Sequence, residues 1–154
     1  DVCSSDLAIT ELDDTQCPTG AFLSVEGSPF DFREMKKIGD GIHCDNAQLK
    51  LGGTYDHNFV INGDGLREAA VLQSKESGIR LTCFTDQPGV QLYVPCYTLH
   101  QKGIDGKDYP PYSAVCLETQ HYPNAINIEH FPSVVLKAGE NFRSKTLYHF
   151  SVMG

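Results

Sequence analysis

The chain has 154 residues, 40% of them hydrophobic and 21% charged, and carries a formal net charge of −8. That length suits one domain and that balance excludes a disordered chain. The negative charge argues against nucleic acid or an anionic membrane as partner, since both need a basic footprint. No apolar run reaches the length of a membrane-spanning helix, and the N-terminus lacks the basic-then-apolar pattern of a signal peptide.

The first seven residues, Asp1 to Leu7, read as foreign to the rest of the chain. They can be encoded by GAC GTG TGC TCT TCC GAT CT, which resembles the end of a widely used sequencing adapter, and such scars stand outside fold reasoning. The expectation is a non-native segment over residues 1–7, then residues 8–154 as the later part of a domain whose natural start lies upstream of Ala8.

From Ala8 onward the pattern is one of short strands and turns. A turn at Pro18-Thr19-Gly20 precedes a strand over 21–25, which Gly27-Ser28-Pro29 closes. Phe30-Asp31-Phe32-Arg33 alternates apolar and polar, as a half-buried strand does. Residues 36–51 read as a glycine-punctuated loop, and 59–63 as a strand ending in an Asn-Gly turn signal. Residues 68–73 and 79–85, separated by Lys75-Glu76-Ser77-Gly78, have the signature of a hairpin. Further strands are expected over 89–94, 114–119, 134–136 and 143–152, with loops over 100–111 and 122–131. Helical periodicity is nowhere sustained. The expectation is an all-β domain, an antiparallel β-sandwich or barrel.

The six cysteines, Cys3, Cys17, Cys44, Cys83, Cys96 and Cys116, include no CxxC pair, which removes support for a zinc or thioredoxin-like site. Several fall inside apolar strands, where cysteine is most often a small buried hydrophobe. No Asn-Xaa-Ser/Thr acceptor occurs, and the compartment is expected to be cytosolic. The histidines are scattered, with no His-Xaa-Xaa-Xaa-His spacing, so no metal site is expected.

Three stretches could carry chemistry. In Val115-Cys116-Leu117-Glu118-Thr119-Gln120, alternation places Cys116, Glu118 and Gln120 on one face. Glu118 then has a small hydrophobe, an amide and no adjacent cation beside it, a setting that raises a carboxylate pKa toward that of a general base. An edge-strand glutamate facing solvent fits the same residues. In Thr54-Tyr55-Asp56-His57-Asn58-Phe59, Asp56 or Asn58 could accept hydrogen bonds from ligand hydroxyls, or serve as turn residues. Gln91 and Tyr93 share one face of their strand, an amide beside an aromatic, which suits a sugar or simply an exposed sheet face.

Taken in order, these stretches resemble aldose 1-epimerase, the galactose mutarotase family, over nearly everything from Ala8 onward. The resemblance rests on Pro18-Thr19-Gly20, Ser28 to Arg33, Tyr55 to Phe59, Gln87-Pro88-Gly89-Val90-Gln91-Leu92-Tyr93 and Cys116 to Gln120. Asn127, Phe131-Pro132-Ser133, Leu136 and Gly139-Glu140 match the closing pattern. It implies a large antiparallel β-sandwich, Glu118 as catalytic base, Asp56 and Gln91 as ligands of sugar hydroxyls, a monosaccharide substrate, and no metal or cofactor. The family's two active-site histidines and an arginine belong to the half preceding the Pro-Thr-Gly turn, and no histidine here matches their motifs. The sequence departs from the family pattern at Thr54, at Val94-Pro95-Cys96 and at Tyr112. A hexose-phosphate epimerase would need cations at the site, for which Lys36, Lys37 and Arg143 are the candidates. A non-catalytic sugar-binding relative is the other alternative, and an intact Glu118, Asp56 and Gln91 count against it.

Overall fold

The computed structural model describes residues 2–3, 8–97 and 99–154, with the side chains of residues 3 and 99–101 excepted. Strands β1 (Val2–Cys3), β5 (Arg67–Gln73), β6 (Ile79–Thr85) and β11 (Thr146–Val152) form a four-stranded sheet in the order β1-β5-β6-β11. Strands β2 (Ala8–Leu12), β3 (Pro18–Ser24), β4 (Asp56–Val60), β7 (Gly89–Tyr93) and β10 (Cys116–Gln120) form a five-stranded sheet in the order β10-β7-β4-β2-β3. All of these pairings are antiparallel. The two sheets share one apolar core in which Ile9, Phe59, Val90 and Leu92 meet Val2, Ala69 and Cys83. The all-β reading holds.

The reading of residues 1–7 as foreign falls mostly outside the described residues. Within that stretch Val2–Cys3 pairs with Val71 and Leu72 of β5, and Val2 is buried.

Several local expectations need correction. Pro18-Thr19-Gly20 is not a turn but the start of β3, where proline is tolerated because the first strand residue need not donate to the ladder. The turn lies earlier: the Asp13 carboxylate accepts from the Thr15 N–H at 2.8 Å, the Thr15 hydroxyl at 2.6 Å and the Cys17 N–H at 3.1 Å. These bonds also hold the Asp13 pKa below its ordinary value, the Thr15 hydroxyl contributing most. Phe30 and Phe32 are buried as their alternation suggests, yet residues 30–33 pair with no strand. Asp31 there folds back on Arg33 and on the Gly27 N–H instead.

The expected loop over 36–51 holds two short helices, α1 (Ile38–Gly41) and α2 (Ala47–Gly52). Asn46 caps α2 by accepting from the Gln48 and Leu49 N–H groups, and Gly53 closes it at φ 71°. The expected loop over 100–111 contains a small hairpin, β8 (Leu99–Lys102) with β9 (Asp108–Tyr109). Residues 134–136 form no strand and are exposed. The cysteines divide: Cys83 is buried, and burial pushes its thiol up to about 11, whereas Cys17 and Cys44 are exposed. Among the described residues no helix is long and apolar enough to cross a membrane.

Candidate active site

The site forms on the face of the five-stranded sheet that points away from the shared core. Cross-strand register aligns Glu118 of β10 with Gln91 of β7, and Gln91 with Asn58 of β4. Cys116, Tyr93 and Asp56 make a second such row. Directly opposed residues in neighbouring strands share a face, so Asp56, Asn58, Gln91, Tyr93, Glu118 and Gln120 lie side by side. His57 and Phe59 alternate with the β4 members and face Leu92 and Val90 in the core.

Hydrogen bonds tie the row together. Gln91 Nε2 donates to Asp56 Oδ1 at 2.7 Å, and Gln120 Nε2 donates to Gln91 Oε1 at 3.1 Å. A cavity of about 120 Å³ opens over Asp56, Asn58 and Gln91, walled by Thr10, Gly52 and Pro123. Helix α2 shapes this wall. The Gln48 amide accepts from the Leu12 N–H at 2.8 Å and donates to the Leu12 carbonyl at 3.0 Å, replacing ladder bonds where β2 changes register after Thr10. Gly52 brings the helix end close, since a Cβ there would lie 2.9 Å from His57 Cε1. Two buried donors at the cavity wall, Thr10 Oγ1 and Asn58 Nδ2, have no hydrogen-bond partner among the described residues. Leaving such groups unpaired is costly, and polar partners supplied by a ligand would relieve it.

Two of the three expected site residues, Asp56 and Gln91, are therefore in direct contact. Glu118 stands one strand away from Gln91 on the same face, with Cys116 and Gln120 flanking it as alternation requires. Its expected half-apolar setting is not what this chain provides: Glu118 is exposed, on the edge strand of its sheet. Among the described residues no strand pairs with the outer edge of β10, and from β11 the Tyr148 hydroxyl donates to the Leu117 carbonyl at 2.7 Å.

The histidines lie elsewhere. His57 is fully buried and packs at 4.6 Å between ring centroids on Phe30. Burial lowers its pKa to about 4, opposed by the backbone of Gln48; its Nδ1 accepts from the Asp56 N–H at 3.2 Å, and its Nε2 has no partner within ordinary hydrogen-bond geometry. His121 Nδ1 pairs with Gln87 Oε1 at 2.8 Å, and His130 Nε2 with the Gly20 carbonyl at 2.8 Å. The candidate cations are also remote from the cavity wall. Lys36 donates to the Pro29 carbonyl and sits over the Phe32 ring, Lys37 is exposed, and Arg143 lines a separate groove with His121. Tyr93 donates to the Tyr97 hydroxyl at 3.0 Å, a bond that raises its pKa.

Thr10 and the contacts of Gln120 had no sequence signal of their own. Thr10 is one polar residue in an alternating strand, and Gln120 meets Asn58 and Gln91 only because β10, β7 and β4 are neighbours in space.

Comparison with known proteins bears on the family and the fold. The family model described as aldose 1-epimerase matches residues 2–149. Galactose mutarotase of Bos taurus is 39% identical over 149 residues, covering 94% of this chain and 42% of that protein. The Escherichia coli aldose 1-epimerase is 30% identical over 143 residues, covering 90% and 41%. Among solved structures, an aldose epimerase homologue from C. elegans superposes with a TM-score of 0.86 at 30% identity, over 99% of this chain and 46% of that one. Galactose 1-epimerase from Lactobacillus acidophilus gives 0.84 at 27% identity, over 99% and 44%. The chain thus spans about two fifths of the length of the curated relatives it matches. It belongs to the aldose 1-epimerase family.

Proposed function

We propose that the protein interconverts the α and β anomers of a free hexose such as galactose or glucose, with Glu118 as general base and Asp56 and Gln91 holding sugar hydroxyls. The observation that carries this reading is the Asp56–Gln91 hydrogen bond on the open sheet face that also bears Glu118. A carboxylate beside an amide offers acceptors and a donor to a diol, and an edge glutamate one strand away can reach the anomeric hydroxyl of a sugar bound there.

In this mechanism Glu118 takes the proton of the anomeric hydroxyl. The C1–ring oxygen bond breaks as an acid protonates the ring oxygen, giving the open aldehyde. After rotation about C1–C2, the freed ring hydroxyl attacks the other carbonyl face and gives its proton back to the acid, while Glu118 returns its proton to the C1 oxygen, producing the other anomer. The acid is assigned to a histidine in the part of the family's fold that this chain does not span. A free sugar is preferred over a sugar phosphate because Lys36, Lys37 and Arg143 do not border the cavity. The free thiols of Cys17 and Cys44 favour a cytosolic setting.

Polarimetry on the full-length protein tests this. Glu118→Gln is expected to lower kcat for mutarotation by ~10²–10⁴ while KM changes little. Unchanged kcat would remove Glu118 from the mechanism.

A further inference from the structure

We infer that Gln120 is a positioning residue that sets which way the Gln91 and Asn58 amides point, and so holds Gln91 as the donor to Asp56. An amide side chain has a donor end and an acceptor end of nearly equal shape, and only its partners decide between the two orientations. Gln120 Nε2 donates to Gln91 Oε1 at 3.1 Å and to Asn58 Oδ1 at 3.4 Å, so both of its N–H groups meet amide oxygens. With its oxygen held toward Gln120, Gln91 turns its own Nε2 toward Asp56 Oδ1. Turning Gln91 over would set its oxygen against that carboxylate.

The contact spans two strands and exists because of one glycine. Gln120 of β10 and Val60 of β4 flank Gly89 of β7 in register. With no side chain at Gly89, the Asn58 carboxamide occupies the space above it: a Cβ there would collide with Asn58 Oδ1 and lie 3.1 Å from its Cγ and Nδ2. Asn58 is buried, and its Nδ2 is left on the side away from Gln120 with no partner. Gly89 is therefore a gap through which Gln120 reaches Asn58.

The kinetic part of the test rests on the proposed mutarotase reading; the spectroscopic part does not. Gln120→Glu keeps the shape but presents only acceptors, opposing the oxygens of Gln91 and Asn58. Gln120→Met keeps the length and removes the polar end. Gln120→Lys keeps donors and offers no acceptor. In the full-length protein, Gln120→Glu is expected to raise KM for the sugar about tenfold or more, Gln120→Met by about threefold, and Gln120→Lys by less than either, with kcat within about threefold throughout. A purely structural role predicts instead that stability and active fraction fall with KM unchanged, which would overturn the inference.

The second readout is the side-chain NH₂ resonance pair of Gln91, assigned by its loss in Gln91→Leu. With Gln120 in place it is expected to shift on Asp56→Ala, which removes its acceptor, and in Gln120→Glu that response is lost. If wild-type protein shows no mutarotation, the functional reading fails while this measurement still decides the role of Gln120. A Gln91 response that persists in Gln120→Glu refutes it.

Discussion

On the inner face of the five-stranded sheet, Ile9, Phe59, Val90 and Leu92 exclude water, and the imidazole of His57 is buried against the Phe30 ring. On the outer face, the alternate residues of the same strands are Thr10, Asp56, Asn58 and Gln91; Gln91 donates to Asp56, while Thr10 and Asn58 each keep a buried donor with no partner among the described residues. One strand, β4, contributes Phe59 to the first surface and Asn58 to the second. The period of two divides the labour: alternate positions hold the layers together, and the positions between them carry the polar groups of the candidate site. The comparison predicts that inner-face changes alter stability and leave the sugar KM intact, and that outer-face changes do the reverse.

The sharpest way to break that division is Phe59→Ala. Phe59 is buried and sits within tilted ring contacts to Phe30 and Phe32, at centroid distances of 6.3 and 6.1 Å. Truncation leaves a cavity between the sheets and is expected to cost ~3–5 kcal/mol, measured by urea denaturation of the full-length protein. The folded fraction should keep its KM. A change in KM larger than threefold would show that the inner face also shapes the site.

His57 gives the next largest effect, read through pH. Its folded pKa of about 4 lies below the ordinary histidine value of 6.5, because burial disfavours the charged ring. A proton therefore binds the unfolded chain more readily than the folded one. The stabilisation is fully present above pH 6.5 and is lost as pH falls from 6.5 toward 4. Across that window the loss amounts to about 3 kcal/mol, at ~1.4 kcal/mol per unit. Unfolding free energies at pH 7.5 and 4.5 for wild type and His57→Phe measure it. The variant should lose most of this acid sensitivity, and an identical slope in both proteins would place it on other groups.

How much of this was legible depended on whether a feature is local. The β5–β6 hairpin was readable because Lys75 to Gly78 is a turn signal between two apolar runs, and Gly78 does take φ 70°. The turn before β3 was misplaced because its main acceptor is the Asp13 side chain, whereas Pro18 and Gly20 carry the usual turn identities inside a strand. Residues 134–136 have a strand's composition without a strand's partner. Alternation correctly put Glu118 and Gln120 on one face. It could not show that Asp56 meets Gln91, 35 residues away, or that Gly89 lets Gln120 reach Asn58, 62 residues away. Nor does alternation report what covers a face. Phe150 opposes Leu81 in register, on the side of the sheet that carries Cys83 into the core, yet it is 66% exposed. Among the described residues the five-stranded sheet ends at β10.

The smallest expected effect separates the two surfaces most cleanly, because it uses the same substitution twice. Thr10 and Thr54 are both almost fully buried, and the hydroxyl of each has no hydrogen-bond partner. Thr10 borders the cavity beside Asp56 and Asn58, and Thr54 does not. Valine has nearly the same shape as threonine and removes the unpaired hydroxyl, so each change is expected to leave stability unchanged or raise it by up to ~1 kcal/mol. Their kinetics should differ. If the Thr10 hydroxyl is held in reserve for a sugar hydroxyl, Thr10→Val raises KM by about three- to tenfold, the worth of one neutral hydrogen bond, while Thr54→Val leaves it unchanged. Thermal melts and mutarotation kinetics on the two variants measure both quantities. Equal KM values would mean that Thr10 is merely an unpaired core group like Thr54, and would move the edge of the ligand-facing surface inward to Asn58.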